Sequence, residues 1–148
     1  AYVMGEHGDS SFIPWSLANI SNVPVADYSR FVSGPNMERT QLDFDEIETD
    51  VHKSGARVIE RKGATFYAVS VSVCHICRCL LSNLGSTLTV STMMHGEYGI
   101  DDVCLSVLNM VGSGGLLGKV LPPLTDDEAA RLRHSADCLK DVIRSIDI

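Results

Sequence analysis

The spacing of apolar residues predicts two consecutive helices in the middle of the chain. In the first, apolar residues recur every three or four positions with charged residues between them, and the pattern breaks at Lys62 and Gly63. Its apolar positions are Phe44, Ile47, Val51, Val58 and Ile59. The second helix is predicted to begin near Thr65. Its apolar stripe is Phe66, Val69, Val73, Cys77, Leu80 and Leu84. Because this second helix carries few charges on any side, we expect it to be the buried central helix of the domain.

After Ser86 the apolar period changes from helical spacing to alternation, which predicts β-strands. One strand follows Ser86, a second surrounds Leu105, and a third covers residues 116–121. Turn-forming residues at 98–101 and 112–115 separate them. Three consecutive strands with short connections predict an antiparallel meander.

Capping signals predict a helix near each end of the chain. Asp9 and Ser10 are favourable cap residues for a helix over residues 15–20. It would be followed by a short extended piece at 23–25 and a turn at 33–36. Near the other end, Thr125 and Glu128 form a capping box before the last predicted helix. That helix carries apolar residues spaced by three and four, namely Leu132, Ala136, Leu139, Ile143 and Ile146.

Helices and strands in separate runs predict an α+β fold, in which a twisted antiparallel sheet is packed by long α-helices. A chain of 148 residues suits one domain with a sizeable core, and 45% hydrophobic with 21% charged residues is typical of a soluble globular protein.

Charge and composition exclude several classes of partner. The net charge of -7 argues against nucleic acid, and no apolar run is long enough to span a membrane. The five cysteines are an odd number and no secretory segment precedes them, so we expect a reduced, cytoplasmic protein.

The cysteine-rich stretch CHICRC at positions 74–79 raises the alternative of a zinc or redox site. It lies inside a predicted helix, where Cys74 and Cys77 share a face that Cys79 does not, and no second ligand pair follows at a suitable spacing. We therefore interpret these cysteines as small apolar side chains and expect no metal.

His7 is the main candidate for chemistry. It lies in the stretch GEHGDS at positions 5–10, between a carboxylate and two glycines. Histidine can give and take a proton near neutral pH, and flanking glycines allow a tight turn and the approach of a substrate. From the residues alone, the alternative is a histidine in a surface turn.

The sequence around His7 closely resembles the catalytic-histidine segment of the L-lactate/malate dehydrogenase family, in the form YVMGEHGDS at positions 2–10. Residues 62–65 and the apolar helix after them resemble the family's substrate-side helix, residues 95–107 its strand pair, and residues 124–136 its C-terminal helix. The resemblance runs in order along essentially the whole chain.

The resemblance implies hydride transfer between NAD and the C2 carbon of a 2-hydroxy acid, in the lactate form the interconversion of pyruvate and L-lactate. His7 would take the hydroxyl proton during oxidation and return it during reduction. Thr65 would line the substrate pocket, and Val69 would contact the nicotinamide ring. From the residues alone, Thr65 also suits a helix N-cap and Val69 also suits a core position.

The resemblance further implies that residues 1–148 are the C-terminal, substrate-side domain, and that NAD is bound mainly by an N-terminal Rossmann domain absent from this chain. The aspartate that orients the histidine and two substrate-binding arginines would precede Ala1. No Gly-rich dinucleotide fingerprint follows a predicted strand here.

We therefore expect the fragment alone to be inactive and to work with the missing N-terminal half, in a homo-oligomer that is a tetramer in the family. The alternatives are a relative that acts on malate or a bulkier 2-hydroxy acid, and a domain used only for assembly.

Overall fold

The computed structural model describes residues 1–32, 42–82 and 84–146, and the turn expected at 33–36 lies outside them. Short 3-10 turns occur at Trp15–Leu17 and Glu97–Gly99. The strands and helices in chain order are β1 Asn19–Ile20, β2 Val23–Pro24, α1 Val25–Phe31, α2 Phe44–Lys62, α3 Phe66–Leu81, β3 Ser86–His95, β4 Asp101–Gly112, β5 Gly115–Lys119 and α4 Asp126–Ser145.

The predicted α+β fold and antiparallel meander are confirmed. The sheet has the order β3-β4-β5, with Ser86 opposite Val111 at one end of the β3–β4 pair and Met93 opposite Cys104 near the other. A bulge between Met93 and His95 shifts the register before the connection to β4.

The core lies between one face of this sheet and α4. Inward residues of β4 alternate along the strand as the sequence predicts, and Leu132 of α4 is fully buried against them. The buried cluster consists of Met4, Phe12, Met94, Ile100, Val103, Leu105, Val107, Leu132 and Ala136.

The end of α2 and the start of α4 follow the sequence signals, whereas the cap at the start of α2 was not predicted. The Asp43 carboxylate accepts hydrogen bonds from the backbone N–H groups of Asp45 and Glu46, at 3.1 and 3.0 Å, and starts α2. Gly63 ends that helix with φ of 76°, a left-handed conformation that favours glycine. At the start of α4, Thr125 and Glu128 form the predicted capping box.

The helix expected over residues 15–20, capped by Asp9 or Ser10, is wrong. One 3-10 turn forms at Trp15–Leu17, and the chain then enters the β1–β2 hairpin, which leads into a helix α1 that was not predicted. The Glu128 carboxylate holds the turn by accepting the Ser16 N–H at 2.9 Å and its hydroxyl at 2.6 Å. Positive φ angles at Ser21 and Asn22, 52° and 65°, then reverse the chain.

Hydrogen bonds together influence the pKa of the Glu128 carboxyl more than burial does. Burial acts to raise the pKa of its carboxyl, but hydrogen bonds from Ser16 and Thr125 outweigh that effect and hold the pKa below its usual value.

The expectation that the second helix, α3, is buried is also wrong for the part of the chain that the structure describes. Cys79 is buried, whereas Phe66, Val69 and Val73 are each more than half exposed. Within the described residues α3 packs against β4 on one side, and its remaining apolar surface faces outward. The low charge density of α3 therefore predicted apolar surroundings for this helix. It did not show whether residues of this chain supply those surroundings.

The connection between β3 and β4 carries an ion pair with a consequence for acid stability. Lys119 donates to the Glu97 carboxylate at 2.6 Å, and the His95 N–H donates to the same group at 2.6 Å. These hydrogen bonds, that of Lys119 being the stronger influence, lower the pKa of Glu97 from 4.5 to about 2. The stabilisation is complete above pH 4.5 and is lost as the pH falls towards 2, because the unfolded carboxylate binds a proton first.

We expect Glu97→Gln to flatten the fall in unfolding free energy across this acid range, because the glutamine side chain does not titrate. Lys119→Met should flatten it as well, because it removes the main partner of the carboxylate. Urea unfolding at several pH values between about 2 and about 5 measures the slopes. Slopes equal to that of the wild type in both variants would contradict this account.

Candidate functional site

His7 lies on a loop whose base is hydrogen-bonded to the middle of β4. Met4 and Phe12 pair through backbone hydrogen bonds of 2.9 and 3.0 Å, and Gly5 pairs with Ser106 of β4 through bonds of 3.0 and 2.8 Å. The loop between Gly5 and Phe12 therefore projects from a fixed base, with the His7 side chain exposed.

The loop is closed by its own side chains. The Glu6 carboxylate accepts the Ser10 N–H at 3.1 Å and the Ser10 hydroxyl at 2.6 Å, and the Ser11 N–H donates to the Gly8 carbonyl at 3.1 Å. The residue types GEHGDS thus encode a compact turn that presents His7, and Asp9 and Ser10 cap no helix there.

Two helices support the loop from behind. Ser135 of α4 accepts the Glu6 N–H at 2.7 Å, and its Oγ lies 3.0 Å from the Ser10 Oγ. From α2, His52 Nε2 lies 2.9 Å from the Ser11 carbonyl oxygen and 3.1 Å from the Ser11 Oγ. These contacts join residues 41 to 129 positions apart, so no local sequence signal could have identified them.

The His7 side chain borders a cavity of about 320 Å³ with three hydroxyl groups in its wall. The lining residues are Val3, Glu6, His7, Ser11, Thr89 and Ser106. Sequence reasoning missed the hydroxyls of Ser11, Thr89 and Ser106. Thr89 and Ser106 were visible only as ordinary polar positions of alternating strands.

Thr65 and Val69 lie together in a second cavity of about 540 Å³ on the outer face of α3, separate from that of His7. Its other lining residues are Ala64, Phe66, Ser70, Val73 and Cys74. Thr65 is at the N-cap position, but its side chain makes no capping hydrogen bond and is free for another partner. Val69 is 55% exposed, so the alternative of a core role within the described residues is wrong.

The cysteine stretch forms no metal site in the described residues. Cys74 and Cys77 are exposed on α3 whereas Cys79 is buried, and all five cysteines are free thiols. No three His, Cys, Asp or Glu side chains of the described chain come close enough together to hold a metal ion. None of the helices in residues 1–32, 42–82 and 84–146 has the length and apolarity to cross a membrane.

Gly5 is where the loop packs most tightly on α4. Its φ is 101°, and a Cβ there would lie 2.6 Å from the Ser135 Oγ. We expect Gly5→Ala to lower the unfolding free energy by about 2–4 kcal/mol, from backbone strain and the forced separation from α4.

Urea unfolding of Gly5→Ala beside Gly118→Ala measures the effect of the clash. A Cβ at Gly118 meets no atom within 4 Å, and that control should change the free energy by less than about 0.5 kcal/mol. Equal stabilities of the two variants would show that the loop does not pack as described.

Comparison with known proteins identifies relatives of this chain. A family model described as the lactate/malate dehydrogenase α/β C-terminal domain matches residues 1–147. The L-lactate dehydrogenase of Thermoanaerobacterium saccharolyticum is 39% identical, over 99% of this chain and 46% of the relative. The chain thus spans about half the length of the curated relatives it matches, and corresponds to their C-terminal half.

Solved structures share the fold. The minor L-lactate dehydrogenase of Enterococcus mundtii superposes with a TM-score of 0.86 at 28% identity, over 99% of this chain and 46% of that one. A malate dehydrogenase from Archaeoglobus fulgidus, solved in complex with NADH, superposes with a TM-score of 0.79 at 29% identity, over 97% and 42%.

Proposed function

Because this chain belongs to the lactate/malate dehydrogenase family, we propose that it is the substrate-side half of an NAD-dependent L-lactate dehydrogenase that interconverts pyruvate and L-lactate. The observation that carries the proposal is the position of His7, exposed at a cavity on a loop that a sheet and two helices hold in place. The 39% identity to an L-lactate dehydrogenase over 99% of the chain favours lactate among the family's substrates.

In this proposal His7 is the proton donor and acceptor. During pyruvate reduction the protonated imidazole gives its proton to the carbonyl oxygen as a hydride adds to C2, which yields L-lactate. During lactate oxidation the neutral ring takes the hydroxyl proton as the hydride leaves C2. The exposed ring can reach a substrate, and the anchored loop keeps its direction fixed.

The cavity on α3 fits one part of the dinucleotide. Its wall is formed largely by Phe66, Val69 and Val73, apolar side chains against which a flat ring can pack, and Val69 would contact the nicotinamide. When bound, the reduced cofactor would supply the hydride to the C2 carbon, and the oxidised cofactor would accept it in the reverse direction. The hydroxyl of Thr65, beside Val69, would line the substrate pocket. Since the structure places Thr65 in a cavity separate from that of His7, the proposed pocket of the complete protein has to include both.

We propose that residues 1–148 act together with an NAD-binding half and do not turn over substrate alone. Within residues 1–32, 42–82 and 84–146, no Gly-rich turn leads from a strand into a helix to cradle a pyrophosphate. The exposed apolar side of α3 is consistent with association with other protein surfaces. We propose that the complete protein forms a homo-oligomer. Five free cysteines are consistent with a cytoplasmic enzyme.

The second candidate substrate is malate or a bulkier 2-hydroxy acid, and the structural likeness to a malate dehydrogenase supports it. The residues that would choose between substrates are proposed to lie outside this chain. A role in assembly alone is the remaining alternative.

A substrate panel tests the proposal. The complete protein, with this chain joined to its NAD-binding half, is assayed for NADH consumption with pyruvate, oxaloacetate and longer 2-oxo acids. We expect the highest kcat/KM with pyruvate and no turnover by residues 1–148 alone. A higher value with oxaloacetate would favour malate as the substrate, and no consumption with any 2-oxo acid would contradict an enzymatic role.

A further inference from the structure

We propose that Ser135 is a positioning residue for proton transfer, acting through His7 by fixing the loop that carries it. The inference rests on the proposed function. Ser135 is distant from His7 in sequence and belongs to the last helix. The sequence indicated only the family resemblance of segment 124–136 and gave Ser135 no role at the site.

The side chain of Ser135 is shielded from solvent, so its hydroxyl can bond only to neighbouring protein groups. It is fully buried, one residue before the buried Ala136 and three after the buried Leu132. A buried hydroxyl costs free energy unless it is hydrogen-bonded, and both partners of this hydroxyl belong to the His7 loop.

The contacts of Ser135 bracket His7. The Glu6 N–H, directly before the histidine, donates to the Ser135 Oγ at 2.7 Å, and the Ser10 Oγ, three residues after it, lies 3.0 Å away. Since the Ser10 hydroxyl also donates to the Glu6 carboxylate at 2.6 Å, the three residues form a closed ring of hydrogen bonds. Glu6 and Ser10 close the loop between them, and the Ser135 hydroxyl ties both sides of the closed loop to α4.

Other attachments do not replace this one. The backbone pairs at Met4 and Gly5 hold the base of the loop, and His52 holds Ser11 at its end. Within residues 1–32, 42–82 and 84–146, the hydrogen bonds that join residues 6–10 to another element all go to Ser135. The absence of a side chain at Gly5 provides the space for this hydroxyl, because a Cβ would lie 2.6 Å from it.

Proton transfer is sensitive to such an anchor, because a displacement of about 1 Å in a catalytic group can cost about 100-fold in rate. We expect Ser135→Ala in the complete protein to lower kcat for pyruvate reduction about 10- to 100-fold, with little change in the KM for NADH. Ser10→Ala, which opens the ring but leaves the Glu6–Ser135 bond, should lower kcat less.

The matched control is Thr125→Ala, which removes the N-cap of the same helix α4, ten residues before Ser135. It should destabilise the protein but leave kcat within about threefold of the wild type. A loss of kcat in Thr125→Ala as large as that in Ser135→Ala would mean that any weakening of α4 has the same effect, and would overturn the proposal.

A double-mutant cycle with His7 separates positioning from a general structural role. If Ser135 acts through His7, adding Ser135→Ala to His7→Asn should change the remaining rate less than about threefold. The same fold loss with and without His7 would overturn the proposal.

The failure of the proposed function is visible separately, because it would leave the wild-type protein inactive with pyruvate. In that case the rate of hydrogen exchange at the Glu6 amide tests whether Ser135 anchors the loop. Faster exchange in Ser135→Ala than in Thr125→Ala supports it, and equal exchange in the two variants overturns it.

Discussion

Replacing His7 with asparagine in the complete protein is expected to lower kcat for pyruvate reduction by about 10²- to 10⁴-fold, the usual contribution of a positioned acid or base. Asparagine keeps a similar size and a hydrogen-bonding end but cannot exchange a proton with the substrate. Steady-state NADH consumption measures the loss. Because His7 is exposed and the loop is fixed by its neighbours, the unfolding free energy should stay near that of the wild type.

His95→Asn is the matched control for this experiment. His95 is also exposed, at the end of β3, and its hydrogen bond to Glu97 is made by the backbone N–H, which the substitution keeps. We expect its kcat to stay within about threefold of the wild type. If His7→Asn behaves like this control, His7 is a surface-turn histidine and another group transfers the proton.

Truncation of Phe12 is expected to give the largest loss of stability, about 3–5 kcal/mol for Phe12→Ala. Phe12 is fully buried in the core beside Met4, and the Arg131 guanidinium lies 5.0 Å from the centre of its ring. Its removal leaves a cavity under the strand pair that supports the His7 loop. Urea or thermal unfolding measures the change.

Phe31 is the control for a phenylalanine that is not in the core. Its side chain is 71% exposed, and Phe31→Ala should lower the unfolding free energy by less than about 1 kcal/mol. A loss below about 1 kcal/mol for Phe12→Ala as well would mean that the segment 4–12 is not packed on the sheet as described.

The elements with strong local signals could be predicted from the sequence. The cap at Thr125 and the left-handed Gly63 depend on contacts within a few residues, so the start of α4 and the end of α2 are encoded where they occur. The meander followed from alternation along β3 and β4. In β4 the inward residues Val103, Leu105 and Val107 belong to the same buried cluster as Leu132 of α4.

The failures have a common physical cause, which is that contacts between distant residues are invisible to a local pattern. The turn at Trp15–Leu17 has good helix-capping residues before it, but Ser16 is bonded to Glu128, 112 positions away. For α3 the spacing of apolar residues indicated an apolar helix, but it could not show which surface covers that helix.

The candidate site likewise contains one residue that the sequence predicted and others that only the structure revealed. His7 was identified from its residue types and from the family resemblance, and its exposure at a hydroxyl-lined cavity is compatible with that interpretation. Ser135 and His52, which hold the loop, come from α4 and α2. The sequence gave neither of them a role at the site, because their contacts with the loop form only after the chain has folded.

The pH dependence of the complete protein, measured in both directions, tests the role of His7 most directly. Rates of pyruvate reduction and lactate oxidation are recorded from about pH 5 to about pH 9, on both sides of neutrality. The account predicts that reduction falls as the pH rises, since it requires the protonated ring, and that oxidation falls as the pH decreases, since it requires the neutral ring. Both of these changes should be lost in His7→Asn. Profiles that fall on the same side in both directions, or that are unaltered in His7→Asn, would contradict the assignment of His7 as the acid and base.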